Sequence, residues 1–319
     1  MMKSKLLLLI FIAVITVACS GGPPLPDDGF VDVPGGRVAF RVVGSGPSTP
    51  VLFIHGGPGS SSCDFVANVS GIAADRPVIL YDQLGSGYSD RITDLEQFAR
   101  LPRFVEEIDA IRTELGLNEV HLVGHSWGTA VALEYLLTAK PRGIKSVVFA
   151  SPFFGTERWI DDANELLAEL PAEVQEAVRL AVESGDFGSS DFEAANDVYW
   201  GQYGVRTPRE QLNLGPCKMQ PGGDSGLYRY MWGPSEFVSN GTLKEYDRIG
   251  QLPELNLPVL FLAGQHDEAR TETVAYFQGL VAGSKFEILP EAGHVIFLDQ
   301  TELFNRLLAD FFNEVESRR

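Results

Sequence analysis

Basic residues are in short supply in this 319-residue chain. Twenty-five lysines and arginines stand against 43 aspartates and glutamates, a formal charge of −18 at pH 7. No basic stripe exists to neutralise phosphates, which argues against a nucleic-acid partner. A surface this acidic more often serves solubility. Cysteine is scarcer, with only Cys19, Cys63 and Cys217. None has the histidine-rich surroundings of a metal site, no spaced ligand set occurs, and no cofactor is expected. There is no internal repeat and no collagen-like glycine period. What the chain does have is 45% hydrophobic residues, enough for a large core in one elaborated domain or two.

The apolar run at residues 6–17 is twelve residues long, where a bilayer span needs about 20. It follows Lys3 and Lys5 and fits a signal-peptide core. Cys19, after small residues at the end of that core, resembles the bacterial lipoprotein box, with Thr16 where leucine is usual. The expectation is a signal peptide over 1–18 and lipidation at Cys19, which would hold an exported protein at a membrane. Ordinary cleavage would leave it periplasmic or secreted. Residues 19–29, rich in glycine and proline, read as a flexible tether. Cys63 and Cys217 would then remain, and two free buried thiols is the plainer reading than a disulfide.

The most informative segment is Gly124-His125-Ser126-Trp127-Gly128. An apolar strand pattern precedes it and a helical pattern follows, which makes it the nucleophile elbow of an α/β-hydrolase. Ser126 is the expected nucleophile. The strand Val51-Leu52-Phe53-Ile54 runs into His55-Gly56-Gly57-Pro58-Gly59, whose glycines let main chain approach a substrate oxygen. The N–H groups of Gly57 and Trp127 are the expected oxyanion donors. Downstream come an acid and then a histidine, each after a strand. Asp267 follows Val259-Leu260-Phe261-Leu262-Ala263, and His294 follows Phe286-Glu287-Ile288-Leu289. His294 would take the serine proton, and Asp267 would hold the imidazole in one tautomer. His125 lies inside the elbow, His266 precedes the acid, His55 belongs to the oxyanion loop and His121 to a strand, so none fits the base role as well.

Strands are expected near 30–33, 37–43, 50–54, 78–81, 120–124, 144–150, 259–263 and 285–289. Helices are expected near 98–115, 128–139, 271–279 and 301–316. This is an α/β fold with a mostly parallel central sheet. The span between the strands at 144–150 and 259–263 is too long to be structureless. Residues 160–183 are helical in period, as are 191–203 and 224–233 less clearly. The organisation expected is a core over 30–151, a helical cap over 152–250 and a second core part over 251–319.

The segments His55-Gly56-Gly57-Pro58-Gly59, Tyr81-Asp82-Gln83-Leu84-Gly85-Ser86-Gly87-Tyr88-Ser89 and the elbow together resemble the proline iminopeptidases. Gly233-Pro234-Ser235-Glu236-Phe237 is similar to a cap motif of the tricorn-interacting aminopeptidase branch. That resemblance implies that Glu236 and Glu268 hold the free amine of the substrate. The chemistry is coherent in itself, because an enzyme that removes one residue must recognise an ammonium group near its nucleophile, and carboxylates do so. Trp127, Tyr230 and Trp232 are candidates for an apolar slot around a pyrrolidine ring. Ser60 and Thr129 stand where relatives often carry glycine, and neither is expected to touch a catalytic group. The reading is a serine exopeptidase that acts on peptides with a free N-terminus, proline favoured. The alternative is an esterase, lactonase or amino-acid amidase with the same triad. Oligomeric state is not legible.

Overall fold

The computed structural model describes Leu25, residues 27–214 and residues 226–318. The signal segment, Cys19 and most of the tether lie outside the described residues, as does Cys217. Eight strands form one sheet: β1 (Asp28–Val33), β2 (Gly36–Val43), β3 (Val51–Ile54), β4 (Val78–Tyr81), β5 (Val120–His125), β6 (Ile144–Ala150), β7 (Val259–Gly264) and β8 (Lys285–Leu289). The order across the sheet is β1-β2-β4-β3-β5-β6-β7-β8. The pairs β1–β2 and β2–β4 are antiparallel and the others parallel. β1 begins at Asp28, inside the expected tether, because Asp28 and Gly29 pair with Arg41 and Phe40 in the first hairpin.

The central strands read as unbroken apolar runs because both faces are covered. Leu52, Ile54, Ile79, Tyr81 and Leu122 face one core layer with Phe104, Ile108, Val131 and Phe277. Val51, Phe53, Val78, Leu80 and Val123 face the other, with Phe304, Leu308, Phe311 and Phe312. The helices of the core are α1 (Cys63–Val66), α2 (Leu95–Phe98), α3 (Leu101–Glu114), α4 (Trp127–Glu134), α9 (Thr271–Leu280), α10 (Ile296–Asp299) and α11 (Thr301–Ser317). α3 starts later than the expected 98, with Pro102 in its first turn, where a missing N–H costs nothing.

Between β6 and β7 lie α5 (Thr156–Leu167), α6 (Ala172–Ser184), α7 (Ser190–Tyr203) and α8 (Leu227–Met231). Leu166, Val174, Val178, Phe192, Tyr199 and Phe237 give these helices a small core of their own. The continuous period over 160–183 is two helices, since Pro171 is extended (φ −54°, ψ 148°) and ends the first. The expectation of free thiols is corrected at Cys63. It is buried and disulfide-bonded, so its sulfur is already covalently paired.

Candidate active site

β5 runs straight into Ser126, whose backbone is held at φ 54°, ψ −126°. For a non-glycine residue this is strained, and it persists only where the surroundings enforce it. Here the Ser126 N–H donates to the Ala150 carbonyl at 3.0 Å. A side chain at Gly128 would sit 2.1 Å from the Ile54 carbonyl oxygen, so only glycine lets the elbow lie against the end of β3. Gly57 has φ +112°. Its loop passes so close to the elbow that a Cβ on Gly56 would be 3.0 Å from the Ser126 Cβ. Among the described residues no protein acceptor takes the N–H of Gly57 or Trp127.

Asp267 is buried after β7. It accepts from the His294 ring at Nδ1 (2.8 Å), from the Ala269 N–H (2.8 Å) and from the Gly264 N–H (3.1 Å). A carboxylate only accepts, so the shared proton belongs on Nδ1, and Nε2 is left as the basic nitrogen. Ser126 and His294 line one cavity of about 450 Å³ with Gly57, Trp127, Glu236 and Glu268. Glu268 Oε1 lies 3.5 Å from His294 Nε2. The other oxygen of Glu268 is buried with no partner. Burial pushes the Glu268 carboxyl well above the usual range, and the nearby charges of Glu236 and Asp267 push it further.

Glu236 is held from two sides by residues the sequence did not flag. Trp159 Nε1 donates to it at 2.9 Å and the Tyr228 hydroxyl donates to its other oxygen. Trp127 and Trp232 line the cavity as expected; Tyr230 does not, and Tyr228 takes that place. Residues two apart on a helix point to opposite sides. Phe153, Trp159 and Trp200 complete an aromatic wall. Among the described residues Thr129 meets no catalytic side chain, but it braces the main chain of the elbow. Its hydroxyl donates to the Ser126 carbonyl at 2.7 Å and accepts from the Phe153 N–H at 2.9 Å. Ser60 lines the cavity.

Gln83, from the glycine-rich segment after β4, braces both oxyanion segments. Its Nε2 donates to the His55 carbonyl at 2.7 Å, and its Oε1 accepts from the Trp127 indole at 2.8 Å. The Gln83 N–H donates to His55 Nε2 at 2.9 Å. Asp82 ties the same segment to Ser62, accepting from its N–H at 2.7 Å. His55 is thereby engaged elsewhere, as are His121, with its Nδ1 on Ser146 Oγ at 2.7 Å, and His125, with its Nε2 on the His294 carbonyl at 3.0 Å.

The α/beta hydrolase fold model matches residues 49–301. A proline iminopeptidase of Heyndrickxia coagulans is 42% identical over 90% of this chain and 99% of its own length. The chain belongs to the proline iminopeptidase family of α/β hydrolases. A solved proline iminopeptidase from Mycobacterium smegmatis superposes with a TM-score of 0.80 at 27% identity, covering 91% of this chain and 99% of that one. The structure of VinJ gives 0.83 at 29%, covering 92% and 100%. Membership in the proline iminopeptidase family thus extends over both the sheet and the helical insertion.

Proposed function

We infer that this protein is a serine aminopeptidase that releases N-terminal proline from peptides. The observation that carries the reading is the pair Glu236 and Glu268, two carboxyls in the same cavity as Ser126 and His294. A peptide's terminal ammonium would seat between them. Its positive charge favours the ionised form of both carboxyls, so a proton that burial keeps on Glu268 is given up to solvent as the amine binds. An acetylated terminus would set a neutral amide against the same groups. This amine clamp is also the basis for placing the chain near the tricorn-interacting branch.

With the amine seated, Ser126 Oγ attacks the first carbonyl and its proton passes to His294 Nε2. The oxyanion meets the N–H groups of Gly57 and Trp127. Collapse breaks the peptide bond, and His294 gives its proton to the leaving amine. Water then attacks the acyl-enzyme, His294 takes its proton, and proline leaves as Ser126 Oγ is reprotonated. The aromatic wall gives a pyrrolidine ring an apolar seat. Export and a lipid on Cys19 complete the proposal, resting on residues 1–19 alone; Cys19→Ala should release the protein from the membrane fraction.

The test is kcat/KM on prolyl-β-naphthylamide and its N-acetylated form, using protein that lacks residues 1–19. Fast cleavage of the free amine alone is the expected result. Equal cleavage of both would overturn the clamp and favour a general esterase or amidase.

A further inference from the structure

Asp299, at the end of α10, has no part in the chemistry above, yet it sits where two functional segments meet. Its carboxylate accepts three main-chain N–H bonds. Thr207 donates at 2.8 Å, Arg206 reaches both oxygens at 3.1 and 3.2 Å, and Gly293 donates at 2.9 Å. Arg206 and Thr207 follow the C-terminal end of α7 within the cap, and Gly293 immediately precedes His294. The same segments are joined again by the His294 N–H on the Tyr203 carbonyl (2.7 Å) and the Val295 N–H on the Gly204 carbonyl (3.0 Å). On the other side the His294 carbonyl accepts from Ser151 Oγ at 2.8 Å. α7 carries Asn196 and Trp200 on the cavity wall, and the Trp200 ring lies 6.3 Å from that of His294.

Every partner of Asp299 is a donor, and they approach both of its oxygens. A carboxylate satisfies them all; a carboxamide would turn an NH2 toward a backbone N–H. We propose that Asp299 is a positioning residue that holds α7 and His294 in one frame, so that the wall of the acyl slot and the base keep a fixed spacing. The proposal rests on the aminopeptidase reading, in which that spacing sets where the scissile carbonyl lies. A misplacement of about 1 Å costs on the order of 100-fold in such a site.

The test is Asp299→Asn, assayed on prolyl-β-naphthylamide, which needs slot and base, and on p-nitrophenyl acetate, which needs the base alone. Rates are taken per folded molecule, counted by circular dichroism. The expected result is a loss of about 100-fold in kcat/KM on the prolyl substrate and about tenfold on the ester. Unchanged rates with a lower Tm would reduce Asp299 to a fold stabiliser and overturn the proposal. Equal losses on both substrates would overturn the link to the cap. Wild-type protein that hydrolyses the ester and not the prolyl amide would instead sink the aminopeptidase reading. Amide hydrogen exchange on wild-type protein decides the matter if the variant does not fold. The Arg206, Thr207, Gly293 and His294 amides should exchange slowly and as one unit, and separate exchange classes would overturn the shared frame.

Discussion

Glu268 answers to two opposed demands. The free protein buries it beside two other carboxyls, while the substrate's amine needs its charge. The native state keeps a proton that the unfolded chain gives up, because the folded carboxyl is held well above the usual range. Stability therefore falls as pH rises above the unfolded value of about 4.3. Glu268→Gln stays neutral throughout. It should melt with wild type at pH 4 and above it at pH 8 by calorimetry, and equal melting at pH 8 would mean that the carboxyl is ionised and paired in the free protein. The same change should lower kcat/KM for prolyl-β-naphthylamide roughly 10- to 100-fold, the loss of a charge-assisted bond. Ser126, Gly57, Asp267 and His294 were legible in the sequence because each sits in a short motif just past an apolar strand, whereas Glu236 and Glu268 entered only through the family resemblance. Trp159 was not, because it meets Glu236 from 77 residues away and no local pattern records that. Tyr230 was named and Tyr228 was not, because the phase of a five-residue helix cannot be read before its packing is known.

Among the secondary-structure elements, α5 is stapled to the segment that carries the acid. Buried Asp162 accepts from Thr273 Oγ1 of α9 at 2.9 Å and from Arg158. Arg270, two residues beyond Glu268, pairs with Glu165 of α5. Trp159 lies just before these anchors on the same helix and donates to Glu236, so the staple bears on the amine clamp. Asp162→Asn should cost about 2–3 kcal/mol in urea unfolding, the usual cost of stripping charge from a buried bonded carboxylate. It should also raise KM for the prolyl substrate with a smaller change in kcat. An unaltered unfolding midpoint would show that α5 is held by apolar packing alone. The strands were readable because burial on both faces writes a continuous apolar run. The split at Pro171 was obscured because the apolar period carries on across it, with Leu166 and Val174 meeting in one small core.

Taken whole, the molecule stores several neutral histidines. Burial lowers His121 to about 4 and His125 to about 3, and it lowers His55 as well. Their folded values lie below the unfolded 6.5, so the unfolded chain binds more protons in that window and stability is lost as pH falls from about 6.5 toward 4. His121 alone accounts for about 3 kcal/mol across it. Urea midpoints should drop over this range, though by less than the histidines alone would give, because Glu268 and buried Glu107, both raised by burial, pull the other way. His121→Gln should flatten the slope. A slope that His121→Gln leaves unchanged would mean that this imidazole is charged in the native state.

The carbonyls of Tyr203 and Gly204 have a further consequence for redesign. A cap is an inviting module to exchange between hydrolases when it is taken to supply walls and nothing else. In this protein the donated helix would also have to end in two acceptors at the right height for His294 and Val295. A graft chosen for its pocket would import a new specificity and strand the base in the same step. Substrate range is better altered by point changes on the inner face of α7, with its exit left intact.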